Sequence, residues 1–142
     1  MDTILKPETT PPPGRPRREV IMPVDGHKVR AAVSHGVRVD DMLYLSGTPG
    51  YTGDRQLAPE FKAQFTQAME NIRIVLAESG AGFDDVAKVL VYLVNQEDFW
   101  AMDELYRTYF APGNFPARTT IVTGLAIPGM LVEVEVTAVC PK

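Results

Sequence analysis

The chain has 142 residues, enough for one domain with a sizeable core and short of the usual length for two. With 45% hydrophobic and 23% charged residues it has the composition of a globular domain, which excludes wholesale disorder and fibrous repeats. A formal net charge of −4 gives a surface field that repels polyanions, so no nucleic-acid partner is expected.

Taken in chain order, Met1 to Gly14 lacks the cationic start and apolar block of a secretory leader. No apolar run anywhere approaches the roughly 20 residues of a membrane span, so a cytoplasmic protein with no membrane association is expected. Half of the twelve prolines fall between Pro7 and Pro23 and cannot donate regular backbone hydrogen bonds. Residues 1–24 are therefore read as a proline-rich arm and 25–142 as the folded domain. The basic cluster Arg15, Arg17 and Arg18 in that arm is read as solvated charge without a function.

From Lys28 the pattern alternates, with Val29, Ala31 and Val33 set against Lys28, Arg30 and Ser34. Val37 to Val39 and Met42 to Leu45 follow around the turn-prone Asp40-Asp41, and antiparallel strands are expected here. Ser46-Gly47-Thr48-Pro49-Gly50 ends the strand in a tight loop, where glycine and proline interrupt the ladder and permit close backbone approach. Such a loop can host a site. Pro59 suits a first helical turn, and Phe61, Phe65, Ala68, Met69, Ile72, Val75 and Leu76 recur at helical spacing up to Gly80.

Val86 to Val94 is a β-branched, nearly continuous apolar run, as for a strand covered on both faces or central in its sheet. Asn95 is a candidate cap for a second helix carrying Phe99, Met102, Tyr106 and Tyr109 and ending near Pro112-Gly113. Arg118 to Val122 and Leu131 to Val139 read as the last two strands, joined by a loop with Pro128-Gly129. The order ββαβαββ predicts an α+β fold, a mixed sheet with two helices on one face. The other sheet face is left bare, which predicts an oligomer.

Chemistry-bearing residues are few. His27 and His35 lie without an HExxH, a CxxC or clustered carboxylates, and the single cysteine, Cys140, reads as a small buried apolar residue. The Ser46 loop has no following lysine to make a phosphate loop, so neither metal nor cofactor is expected. Arg118 follows Phe115-Pro116-Ala117 at a strand start, where a fixed guanidinium can grip a carboxylate bidentately. From spacing alone the favoured reading is a surface or sheet-edge arginine paired with Glu133 or Glu135 on the neighbouring strand. These two glutamates share a strand face opposite Val132, Val134 and Val136, and either orient a water or form a solvated polar face. Ser46 and Tyr106 belong to no Ser-His-Asp set and read as structural hydroxyls.

Several stretches in order carry a resemblance: Leu43-Tyr44-Leu45-Ser46-Gly47, the helix from Gln64 to Gly80, Asp85 to Val89, Phe99 to Phe110, Pro116-Ala117-Arg118-Thr119-Thr120, and Val132 to Val136. Through them the chain resembles the RidA (YjgF) family, also known as L-PSP endoribonuclease-like proteins. The resemblance implies a chorismate-mutase-like subunit and a homotrimeric barrel with sites between subunits. It implies hydrolytic deamination of 2-imino or 2-enamino acids to 2-keto acids, with no cofactor. Arg118 would hold the small-molecule carboxylate, Glu133 would assist the water, and Ser46 and Gly47 would line the cleft. Three departures stand in the same region. Val33 replaces an aromatic residue of the Gly-Pro-Tyr segment, Thr120 replaces a frequent cysteine, and Asp103 replaces a helix asparagine. They point to a larger or different acid, for example an amino-dienoic acid such as 2-aminomuconate. A non-catalytic metabolite-binding or chaperone-like trimer and, more weakly, an endoribonuclease are the competing readings.

Overall fold

A computed structural model describes residues 13–14 and 17–141. The arm predicted for residues 1–24 therefore lies mostly outside the described residues. Its described end, Arg18–Ile21, is a strand, β1. Next come β2 (Gly36–Val39), β3 (Met42–Leu45), the two-residue β4 (Thr48–Pro49), α1 (Phe61–Glu78) and β5 (Val86–Leu93). Helix α2 (Phe99–Arg107), β6 (Ala117–Val122) and β7 (Val132–Val139) complete the order. The order ββαβαββ is met by β2, β3, α1, β5, α2, β6 and β7, with β1 and β4 added, although the strand expected from Lys28 is not among them.

One expected strand is absent. Residues 28–34 form no strand despite their alternation, and a tight turn in which Val33 N–H donates to Ala31 O interrupts them. A chain folded into such turns offers no run of free N–H and C=O groups to a neighbour. The antiparallel partner of β2 on that side is instead β1, an edge strand, where nearby proline is tolerated. The β2–β3 hairpin turns at Asp40, whose φ of 53° lies in the left-handed region that aspartate tolerates.

The sheet runs β1-β2-β3-β7-β5-β6, with β4 also on β7, and only the β5–β6 pair is parallel. The central position expected for β5 is its actual one, between β7 and β6. Its buried side, Val89, Val91 and Leu93, joins Leu43, Leu45, Val132, Val134, Val136 and Ala138 under the helices. Helix α1 contributes Phe65, Ala68, Met69, Ile72 and Leu76, and α2 contributes Met102 and Tyr106, to this single core. The opposite sheet face carries Tyr44, Ile121 and Val139, all substantially exposed. Helix α1 ends as its sequence indicates, with Gly80 at φ 71° just past the last turn.

Two buried amides on α1 hold the loops around the site, Asn71 the Pro49–Tyr51 stretch and Gln64 the loops at Ala58 and Gly129–Leu131. Asn71 donates to Pro49 O at 3.0 Å and to Tyr51 O at 2.9 Å, and itself accepts from Gln67 at 2.9 Å. Gln64 donates to Ala58 O and Gly129 O at 2.7 and 2.8 Å and accepts from Leu131 N–H at 2.9 Å. The Pro49–Tyr51 stretch lies hard against the helix: a β-carbon on Gly50 would stand 2.2 Å from the Gln64 carbonyl oxygen. Only glycine permits that approach.

Candidate functional site

The predicted site residues fall into two groups on opposite sides of the sheet. Arg118, the second residue of β6, lies level with the buried Val89 of β5 and so points toward the helices. Its Nη2 donates to Asp103 Oδ1 at 2.9 Å, and its guanidinium sits 4.6 Å from the Tyr106 ring centroid and 5.7 Å from that of Phe99. Phe99, Asp103 and Tyr106 are spaced so that α2 presents all three on one face. The pairing of Arg118 with Glu133 or Glu135 expected from spacing is thereby corrected. Strand β5 stands between β6 and β7, and the arginine's partner is Asp103.

Asp103 also accepts from Arg107, Nε at 3.1 Å and Nη2 at 3.0 Å, and Arg107 lies 5.8 Å from the Phe115 ring centroid. Burial pushes the Asp103 carboxyl upward, but hydrogen bonds and positive charge from Arg118 and Arg107 outweigh it and hold it below the usual range. Burial, with Asp103 adding to it against the opposing charge of Arg118, raises the Tyr106 phenol to about 12, and its hydroxyl finds no partner among the described residues. These residues line a pocket of about 290 Å³ with Phe115 and Pro116. Thr120, two residues along β6, shares the Arg118 face but does not line the pocket. From sequence Tyr106 reads as a structural hydroxyl and Phe99 only as part of a helix face, while Arg107 carries no signal of its own. Their helical spacing to Asp103 was the available signal.

The second group lies on the other face. Glu133 alternates with the buried Val132 and Val134 and pairs with Pro49 on β4 and Tyr92 on β5. Gly47 is packed on it so closely that a β-carbon there would lie 2.8 Å from the Glu133 carboxyl. Burial, then the negative charge of Glu135, raises the Glu133 carboxyl above its ordinary value. The Ser46 hydroxyl donates to Ser34 O at 2.6 Å and its N–H to His35 O at 3.1 Å, which ties β3 to the segment carrying Val33. Gly47, Val33 and Glu133 line one cleft of about 600 Å³. His27 and His35 lie behind that segment with ring centroids 4.3 Å apart, and among the described residues no set of three or more His, Cys, Asp or Glu side chains converges to hold a metal.

One chain thus holds a cation pocket and a carboxyl cleft with no residue in common. A family model described as Endoribonuclease L-PSP matches residues 26–140, nearly the whole described chain. The chain belongs to this family, the RidA (YjgF) family. It is 35% identical over 124 residues to a rat protein named 2-iminobutanoate/2-iminopropanoate deaminase, covering 86% of this chain and 90% of that one. A RutC family protein of Pyrococcus abyssi is 32% identical over 124 residues, covering 85% of this chain and 96% of the other. Among solved structures, RidA from Psychrobacter aligns with a TM-score of 0.81 at 27% identity, over 85% of this chain and 98% of that one. RidA family membership accords with the two-helix, mixed-sheet subunit described above. No helix among the described residues is long and apolar enough to cross a membrane.

Proposed function

We propose that this protein hydrolyses 2-imino and 2-enamino acids to 2-keto acids and ammonia, in a site completed when the Arg118 pocket of one copy meets the Glu133 cleft of another. The observation that carries the reading is the division itself. A carboxylate-gripping guanidinium and a carboxyl with a raised proton affinity stand on opposite faces of one chain, so only a second copy brings them to the same substrate. The exposed apolar residues of the bare sheet face, Tyr44, Ile121 and Val139, support association through that face, and a homotrimeric barrel is the proposed assembly. The names of the rat and mouse relatives, 2-iminobutanoate/2-iminopropanoate deaminase, support the activity.

In this reading Asp103 and Tyr106 hold the Arg118 guanidinium in place while its free edge receives the substrate carboxylate. The electrophilic C=N carbon is then fixed beside Glu133, which takes a proton from the attacking water and returns one to the departing nitrogen. The C–O bond forms, the C–N bond breaks and ammonia leaves; for an enamine, the same carboxyl delivers the proton to carbon that produces the imine. A carboxyl held above its ordinary value suits both directions of transfer. Gly47 leaves the space in which water and substrate approach the carboxyl.

The test is a coupled assay in which an amino-acid oxidase or a lyase generates imines in situ and keto acid release is followed with and without the protein. Release above the uncatalysed rate, lost in Arg118→Ala while the mass in solution is kept, is the expected result. A folded oligomer that accelerates no imine overturns the reading and favours metabolite binding without turnover.

A further inference from the structure

We infer that the cleft over Glu133 selects 2-imino and 2-enamino acids whose chain ends in a second, distal carboxylate, received by Arg30 and Arg55. This rests on the proposed deaminase reading and names its substrate class. The cleft's volume, about 600 Å³, is in the range that holds drug-sized molecules and is several times what a three-carbon acid fills. Its lining includes Gly47 and Glu133, beside which the proposed reaction places the reacting carbon, and the apolar Val33, Ile127 and Met130. An aliphatic chain extending from the reacting carbon therefore meets apolar surface rather than solvent.

Two guanidiniums line the same cleft. Arg30 and Arg55 are exposed, and among the described residues neither side chain makes an ion pair or a hydrogen bond. Free guanidinium forks beside an apolar wall are suited to a carboxylate carried at the end of a chain. The place of Arg55 is set by a tight turn: Thr52 N–H donates to Gln56 O, Arg55 N–H donates to Thr52 O, and Tyr51 bridges Leu57. Arg55 holds that turn at a φ of 56°, a left-handed conformation that glycine adopts without strain and arginine does not. The acidic groups in the lining are Asp54, beside Arg55 in sequence, and Glu133. A dicarboxylic substrate is thus held at both ends, the first carboxylate on Arg118 of one copy and the second on Arg30 and Arg55 of the other. The reaction balances as before: water adds to the C=N carbon, ammonia leaves, and a keto diacid is released.

The experiment compares two imines of equal chain length, those of 2-aminoadipate and norleucine, generated by oxidases of matching specificity. The wild-type protein is expected to favour the diacid at least tenfold in kcat/KM. The ratio should fall tenfold or more in Arg30→Ala/Arg55→Ala, through KM, and be largely kept in Arg30→Lys/Arg55→Lys. A wild-type ratio at or below one, or a ratio unchanged in the alanine variant, overturns the inference while leaving the deaminase reading standing. If neither imine is turned over, the deaminase reading fails, and calorimetry with 2-oxoadipate and 2-oxohexanoate judges the cleft separately. Tighter binding of the diacid that the alanine variant loses then supports the inference, and equal binding overturns it.

Discussion

A site shared between copies, as proposed, predicts how two inactive variants behave when mixed. Arg118→Ala disables the cation pocket of its own chain, and Glu133→Gln disables the cleft of its own chain. Loss of a charge-assisted bond to a held carboxylate costs about 3 kcal/mol or more, so each pure variant should retain about 1% of wild-type activity or less. In the proposed cyclic trimer each site takes its pocket from one copy and its cleft from the next. In a randomly reassembled 1:1 mixture, a site is intact when the pocket comes from the Glu133→Gln chain and the cleft from the Arg118→Ala chain. The chance is one half times one half, so about one quarter of wild-type activity should return. The assay is keto acid release after the variants are unfolded and refolded together, with each variant refolded alone as the baseline. Activity that stays at the sum of the two baselines, in a mixture shown by mass to contain mixed oligomers, would refute the shared site.

Two glycines separate chemistry from stability. Gly47→Ala places a β-carbon 2.8 Å from the Glu133 carboxyl and should lower kcat by about tenfold or more, with little change in the unfolding midpoint, because a side chain can move aside. Gly50→Ala places one 2.2 Å from the backbone oxygen of Gln64 and should cost more than about 3 kcal/mol, read by urea unfolding, because α1 must shift. Since burial raises the folded-state value of Glu133, its stabilising form is the protonated one, present below the usual carboxylate range and lost as pH rises through the raised value. Glu133→Gln should therefore melt a few degrees higher than wild type at pH 7, with the difference vanishing near pH 4; equal melting at pH 7 contradicts this. Burial and then His35 lower His27 from 6.5 to about 4, so its contribution is complete above pH 6.5 and is lost as pH falls toward 4. Over that window wild type should lose up to about 3 kcal/mol that His27→Gln does not lose, as urea midpoints at pH 7 and 4.5 would show.

Both helices, the β2–β3 hairpin and the last three strands were legible because their signals are local. Phe61 to Leu76 repeat at the helical period, Asp40-Asp41 can turn, and Val132 to Val139 alternate. Arg118 and Glu133, which spacing alone leaves open and the family resemblance singles out, each line one of the two pockets. The alternation of Val29, Ala31 and Val33 misled, because a strand exists only where a partner edge is free, and here the edge of β2 is taken by β1. The four residues of β1 gave too short and too polar a pattern to announce themselves beside so many prolines.

The partner of Arg118 was misread for a reason of the same kind. Sequence neighbours suggested that β6 and β7 pair, yet the chain crosses over through α2 and lays β6 parallel to β5, on the far side from β7. What the sequence by itself determined was the kind of most elements and the side of its own strand or helix on which each residue lies, since these depend on periods of two and 3.6 along the chain. The tertiary structure alone decided the order of strands, the clasp of Asp103 and Tyr106 on Arg118, and the separation of Arg118 from Glu133. Those depend on pairings between residues far apart in the chain, each set by which edge and which face remain unburied once the local elements have formed.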